Sequence, residues 1–206
     1  MNIRSFLIIF VMSSLLHSEE NFGIVVHGGA GVMSGLSEER QQQIHNKIQE
    51  TVSEAYEILE QGGSSFDAVE LAVSMLEDSP LFNAGRGSVY NSDEVQEMDA
   101  SIMDGKNRLS GAVASVSTVK NPIKLARKVA EETKHVLLVG EGAESFARDI
   151  GVDIVDRNYF YHEERLKRLF NSKNKISKLN ENADKIGTVG AVALDKNGNI
   201  SAATST

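Results

Sequence analysis

The pair of residues with the most chemical potential is Gly187-Thr188, which follows a polar segment and precedes an apolar run. A threonine hydroxyl is a weak nucleophile until a base takes its proton. If the bond between the two residues were cut, Thr188 would carry a free α-amine with an unperturbed pKa of about 7.7–8.0. Such an amine can act as a general base near neutral pH. Gly187 has no side chain to hinder attack on its carbonyl. Taken alone, the pair also has the pattern of an ordinary strand start.

The ionisable residues form weaker patterns. Adjacent residues diverge on a helix, so His162, Glu163 and Glu164 are interpreted as a solvated face and not as a metal site. His27 stands between an apolar run and glycines; a catalytic role is one interpretation, and a hydrogen-bonded structural role is the favoured one. Asp99 and Asp104 are spaced to fall on opposite faces of one strand, which argues against a joint acid–base role.

Composition excludes several classes of protein. The chain has 206 residues, a net charge of −8, 41% apolar residues and no cysteine. It therefore holds no disulfide scaffold, cysteine-based zinc site or thiol nucleophile. The acidic balance argues against a nucleic-acid partner, because phosphate contacts need Lys and Arg. Residues 1–18 combine Arg4 with a short apolar run and are predicted to be an export signal, after whose removal no membrane contact is expected.

The periodicity of apolar residues predicts alternating helices and strands. Strands are predicted over 21–26, 98–103, 111–119, 136–139, 189–194 and 200–206. Helices are predicted over 40–59, between Ser65 and Pro80, and over 122–133, 141–149 and 159–170. The strand at 136–139 is expected to be buried, residues 171–186 are expected to form a flexible linker, and Asn197-Gly198 predicts a type I′ turn. This order indicates an α/β (α+β) layered architecture.

Several segments together resemble one known family. They are VVHGGAG (25–31), FDAVE (66–70), LFNAGRGSV (81–89), MDASIMDG (98–105), GAVASV (111–116) and GTVGAVALDKNGNISAATST (187–206). In this order they are similar to the plant-type asparaginase and isoaspartyl peptidase family of N-terminal nucleophile hydrolases. The resemblance implies a four-layer αββα sandwich, made as one precursor that cleaves itself before the Thr of GTVGA. The chain would then comprise a signal (1–18), an α-chain (19–187) and the start of a β-chain (188–206), with part of the β-chain half missing.

The resemblance also implies roles for individual residues. Thr188 would be the nucleophile and new N-terminus, and Thr206 a second active-site threonine that hydrogen-bonds it. Asn83 would lie near the scissile or substrate carbonyl, and Gly28 and Gly29 in a loop that approaches the cleavage site. No cofactor is implied for catalysis. A structural sodium ion would be bound by the main-chain carbonyls of Leu76, Glu77, Ser79, Phe82, Ala84 and Arg86.

The implied reaction is hydrolysis of β-aspartyl (isoaspartyl) dipeptides, L-asparagine or both, releasing aspartate, by a homodimer of cleaved αβ units. A glycosylasparaginase-like amidase is an alternative. So is an inactive fragment, because the family's substrate-binding Arg and Asp, and a Thr-Gly pair, follow the ATST motif and are not in this sequence. Little turnover is therefore expected from the 206 residues alone.

Overall fold

A single mixed sheet organises the chain in a computed structural model that describes residues 21–29, 35–176 and 188–206. Its strands are β1 (Gly23–His27), β2 (Met98–Asp104), β3 (Leu109–Val116), β4 (Leu137–Val139), β5 (Val189–Leu194) and β6 (Ile200–Ser205). They lie in the order β1-β5-β6-β2-β3-β4. Only β3 and β4 pair in parallel among these neighbours. The two strands that follow residue 187, β5 and β6, thus lie side by side between β1 and β2.

Five α-helices accompany the described part of the sheet. They are α1 (Glu38–Glu60), α2 (Ser65–Glu77), α3 (Pro122–Glu132), α4 (Gly140–Asp149) and α5 (Glu163–Ile176). The Ser37 hydroxyl accepts a hydrogen bond from the Arg40 amide at 3.2 Å, and the Ser64 hydroxyl accepts one from the Asp67 amide at 3.1 Å. Each bond satisfies a first-turn amide that has no partner within its helix. These caps begin α1 and α2 where the sequence predicts them.

The helices cover one face of the sheet. Along β2, Met98, Ala100 and Ile102 are buried, whereas Met103 points the other way and is 57% exposed. The same alternation leaves Val25 of β1 and Val192 of β5 exposed on the second face. The described residues thus form one sheet and one helical layer of the mixed α/β sandwich, which confirms the predicted fold class.

Three local predictions differ from the structure. The strand at 137–139 is not buried, because it is the sheet edge and Leu137 and Val139 face the uncovered side, each about half exposed. The last predicted helix is a short 3₁₀ turn at Arg157–Phe160 followed by α5. That helix continues to Ile176, so the first part of the predicted linker is helical, and residues 177–187 lie outside the described residues.

The turn between β5 and β6 is also not type I′. Such a turn needs positive φ at both central residues, but only Gly198 has it (79°), and Asn197 does not. The Asp195 carboxylate accepts hydrogen bonds from the Asn197 and Asn199 amides at 2.9 and 3.0 Å and thereby organises a longer turn. Throughout the part of the chain described, no helix is long and apolar enough to cross a membrane.

Candidate active site

Strand register brings Thr188 to the centre of the candidate site. In the β5–β6 pair Val189 is opposite Ser205, so one step further along the register places Thr188 opposite Thr206. In the β1–β5 pair His27, the last residue of β1, is opposite Gly190, two residues after Thr188. Thr188 therefore lies opposite the threonine that follows β6, at the end of β5 toward which β1 runs. Gly187, the other residue of the predicted cleavage site, lies outside the described residues.

Thr206 is held in place by its backbone and contacted through its side chain. Its amide and carbonyl exchange hydrogen bonds with Asp99 at 2.9 and 3.1 Å, which extends the β2–β6 pairing by one residue. The Asn83 side-chain nitrogen (Nδ2) donates to Thr206 Oγ1 at 3.4 Å. Asn83 Oδ1 in turn accepts from the Val89 amide at 3.0 Å, which orients the side-chain amide. The structure thus brings together Asn83 and Thr206, two residues that are far apart in the sequence.

Two glycines allow the strand ends to approach one another. A Cβ atom on Gly28 would lie 2.6 Å from Cε1 of Phe82, so β1 leads directly over the segment that carries Asn83. A Cβ atom on Gly190 would lie 2.5 Å from Nε2 of His27. His27 is an exposed residue whose ring packs across Gly190. Small residues at both positions are required by this close approach.

The segment from Leu76 to Ser88 folds back on itself. Gly85 has a positive φ of 50°, and a Cβ atom there would lie 2.5 Å from the carbonyl oxygen of Glu77. A Cβ atom on Gly87 would collide with the carbonyl oxygen of Phe82. The amides of Gly87 and Ser88 complete a 3₁₀ turn with the carbonyls of Ala84 and Gly85, each at 3.0 Å. The carbonyl oxygens of Glu77 and Phe82 therefore lie against glycines of the same segment.

Sequence reasoning missed the side chain of Glu77, the last residue of α2. It is fully buried, and Oε1 accepts hydrogen bonds from the Ser205 hydroxyl at 2.6 Å and the Ile123 amide at 3.0 Å. Burial raises the pKa of this carboxyl group to about 8, although the bonds from Ser205 and Ile123 oppose the shift. The available signal was an acid four residues after Val73, on the apolar face of α2.

The remaining acidic candidates do not form a site. The carboxylate of Asp99 is exposed and accepts from the Ser115 amide at 2.9 Å, whereas Asp104 is buried and caps the turn at Lys106. Their opposite orientations confirm that they are not a pair. Among the residues described, no group of three His, Cys, Asp or Glu side chains could hold a metal ion.

Comparisons with known proteins identify the family of this chain. A family model described as asparaginase, of the asparaginase 2 family, matches residues 20–206. The isoaspartyl peptidase/L-asparaginase of Mus musculus is 49% identical over 186 residues, 89% of this chain and 56% of the mouse protein. The Homo sapiens protein of the same name is 46% identical over 184 residues, 89% of this chain and 59% of its own length. The Xenopus laevis protein is 49% identical, with 89% and 58% covered.

The chain spans between about half and three-fifths of the length of these curated relatives. The family match, however, runs through every strand and helix of the described sheet and its helical layer. The chain belongs to the asparaginase 2 family.

Proposed function

We propose that this chain is the N-terminal part of a threonine-nucleophile amidohydrolase that cleaves β-aspartyl dipeptides, L-asparagine or both. The observation that carries the proposal is the position of Thr188 across the β5–β6 pair from Thr206, with the Asn83 amide directed at Thr206 Oγ1. The relatives' names, isoaspartyl peptidase/L-asparaginase, support the same activity.

The proposed reaction uses Thr188 twice. In the precursor its hydroxyl attacks the Gly187 carbonyl, and the Gly187–Thr188 amide bond breaks to leave an ester between Gly187 and Thr188 Oγ1. Water then hydrolyses this ester, which releases the Gly187 carboxylate and leaves Thr188 with its hydroxyl and a free α-amine. In the mature enzyme this amine takes the hydroxyl proton while Oγ1 attacks the β-carbonyl of the substrate. The leaving amine departs with a proton, an ester forms on Thr188, and water hydrolyses it to aspartate.

Thr206 and Asn83 have supporting roles in this scheme. Thr206 lies across the strand pair from Thr188, where its hydroxyl can hydrogen-bond the nucleophile. Asn83 Nδ2 contacts the Thr206 hydroxyl from the opposite segment, and it is proposed to donate to the scissile or substrate carbonyl oxygen. Donors that are fixed before the reaction stabilise developing negative charge without the cost of reorienting.

The relatives' names favour isoaspartyl and asparagine substrates over glycosyl-asparagine. Parallel assays of the complete gene product with a β-aspartyl dipeptide, L-asparagine and a glycosyl-asparagine measure this choice. Faster hydrolysis of the glycosylated substrate would reverse the assignment.

Thr188→Ala is expected to abolish both self-cleavage and hydrolysis, because alanine has no hydroxyl. Thr188→Ser keeps a hydroxyl and serves as the matched control, with at least partial cleavage expected. A denaturing gel of the complete gene product distinguishes one band from two. Cleavage of the alanine variant between residues 187 and 188 would disprove the mechanism.

We also propose that the 76–88 segment binds a structural sodium ion through the carbonyls of Leu76, Glu77, Ser79, Phe82, Ala84 and Arg86. Support comes from the fold of the segment, in which the carbonyl oxygens of Glu77 and Phe82 lie against the Cβ positions of Gly85 and Gly87. Main-chain oxygens suit a hard cation, and the ion would hold the segment that carries Asn83.

The sodium proposal predicts that Na⁺ raises the melting temperature more than tetramethylammonium at equal ionic strength. Ligand binding to the folded state contributes about 2.7 kcal/mol at 100 times Kd. Gly85→Ala should remove the difference in melting temperature between the two cations, because its Cβ atom would collide with the Glu77 carbonyl oxygen. Gly198 also has a positive φ, but its Cβ position has open space around it. The Gly198→Ala variant should therefore still be stabilised more by Na⁺ than by tetramethylammonium. Equal responses to both cations would refute the site.

Export and assembly are further proposals. Residues 1–18 are proposed to direct export and to be removed, which N-terminal sequencing of the protein from its native host would test. The cleaved αβ units are proposed to pair as a homodimer, and light scattering on the complete gene product would measure its mass.

A further inference from the structure

Glu77 joins three elements at one buried point. It ends α2, immediately before the segment that carries Asn83, and its Oε1 accepts hydrogen bonds from Ser205 at the end of β6 and from Ile123 at the start of α3. The side chain is fully buried, so water does not compete for these bonds. Burying a carboxyl group costs desolvation free energy, which an apolar side chain of similar size at the same place would not.

The contact with Ser205 is one residue from the candidate catalytic centre. Ser205 is buried and turned toward the helices, and its hydroxyl lies 2.6 Å from Glu77 Oε1. Thr206, the next residue, is the partner of Asn83 and lies opposite Thr188. A bond that fixes the Ser205 side chain therefore fixes the direction in which the backbone leaves β6 at Thr206.

The other end of the same contact fixes Asn83. The 76–88 segment leaves α2 at Glu77, and Gly85 of that segment packs on the Glu77 main chain, with its Cβ position 2.5 Å from the carbonyl oxygen and 2.8 Å from Cα. Asn83 lies between these two points. One residue thus ties the segment that carries Asn83 to the strand end that carries Thr206.

We propose that Glu77 is a positioning residue for the proposed hydrolysis: through Ser205 it sets the placement of Thr206 relative to Asn83 and Thr188. This inference rests on the proposed function. Misplacing reacting groups by about 1 Å can cost about 10²-fold in rate, so the contact should affect turnover more than it affects substrate binding.

The chain contains a matched control for the Ser205 contact. Ser201 lies on the same face of β6, is equally buried and has a hydroxyl 2.9 Å from that of Ser65. It stands at the far end of the strand from Thr206. Ser201→Ala and Ser205→Ala each remove one buried hydroxyl from β6, but only the second disturbs the Glu77 contact.

The test measures kcat, KM and thermal unfolding of the complete, self-cleaved enzyme on a β-aspartyl dipeptide. Ser205→Ala is expected to lower kcat about tenfold or more with KM within about threefold, whereas Ser201→Ala keeps kcat within about twofold at a similar loss of stability. Glu77→Ala should lower kcat further. Glu77→Gln retains an oxygen acceptor for Ser205 and Ile123 and should recover most of the activity.

The outcomes separate the two proposals. If Thr188→Ala is active, the proposed function fails, whatever the Glu77 variants do. If Thr188→Ala is inactive and Ser205→Ala matches Ser201→Ala in kcat, Glu77 is only a core residue and the inference is wrong. Should Glu77→Ala not fold, the serine pair still decides. Inactivity of a folded Glu77→Gln enzyme would also overturn the inference, since its acceptor is retained.

Discussion

Asn83 shows how a single amide links two segments of the candidate site. Its nitrogen donates to Thr206 Oγ1 and its oxygen accepts from the Val89 amide, so both ends of the side chain have a defined partner. The side chain is buried, which holds the amide in one orientation. The donor is therefore preorganised before any substrate arrives.

Asn83→Asp is expected to lower kcat about 10²-fold, because an acceptor replaces the donor that faces Thr206. The change in unfolding free energy should be modest, about 1 kcal/mol. Asn91→Asp is the matched control, since the Asn91 side chain organises a turn by accepting from the Asp93 and Val95 amides. Steady-state kinetics on both variants would contradict the assigned role if their kcat values agreed.

Thr118 allows a test of how a buried hydroxyl group outside the candidate site affects stability. Its hydroxyl is buried and has no hydrogen-bond partner among the residues that the structure describes. Valine has the same shape without the hydroxyl, so Thr118→Val should raise the free energy of unfolding, by about 1 kcal/mol, with unchanged kcat. Urea titration measures the first quantity. A clear loss of stability would show that the hydroxyl has a partner, such as a bound water molecule.

At the scale of elements, strand β6 is anchored to the helices by a buried acid near each end. Asp195 is 3.4 Å from the Ser65 hydroxyl, which contacts Ser201 near the beginning of the strand, and Glu77 contacts Ser205 at its end. These side-chain bonds supplement the backbone pairing of β6 with β5 and β2. Such anchoring fixes the strand along its length, which apolar packing alone does weakly because it is non-directional.

Strand β3 depends on the absence of a side chain at Gly111. A Cβ atom there would collide with the Ala126 carbonyl and lie 2.5 Å from the Ala130 amide nitrogen, so α3 rests directly on the strand. Gly111→Ala is expected to destabilise the protein by about 1–3 kcal/mol through overpacking.

Gly142→Ala is the matched control for that prediction. Gly142 lies within α4 and has open space around its Cβ position. Alanine should stabilise the helix there by about 0.5–1 kcal/mol. Equal free energies of unfolding for the two variants, measured in urea, would disprove the close packing of α3 on β3.

At the scale of the whole molecule, Asp195 couples stability to pH. Burial alone would raise the pKa of this carboxyl group, but hydrogen bonds from Asn199, Ser65 and Asn197 hold it below the ordinary value of 3.8. Its stabilising contribution is therefore present above the unfolded-state pKa and is lost as pH falls through the lower, folded-state value.

Asp195→Asn is consequently expected to destabilise the protein most above about pH 4. The difference from wild type should shrink as the solution is acidified toward the folded-state pKa, because the wild-type carboxylate is then protonated as well. Urea unfolding between about pH 2.5 and 6 tests this dependence. A constant difference across the range would contradict the lowered pKa.

Much of this protein follows from local sequence. Serines before α1 and α2, Pro122 at the start of α3, and the alternation in β2 and β5 specify their elements through capping and period-2 burial, which act within a few residues. The six segments from VVHGGAG to GTVGAVALDKNGNISAATST together predicted the family, and the family match confirms it.

Only the tertiary structure decided what depends on distant neighbours. The exposure of β4 results from its place at the sheet edge. The turn at Asp195 results from hydrogen bonds between its carboxylate and the Asn197 and Asn199 amides, which the conformational preference of the Asn-Gly pair does not predict. The meeting of Asn83 with Thr206, and of Glu77 with Ser205, spans 123 and 128 residues of sequence. Such contacts are set by strand order and helix packing, because a side chain's partner is chosen by the elements that close around it.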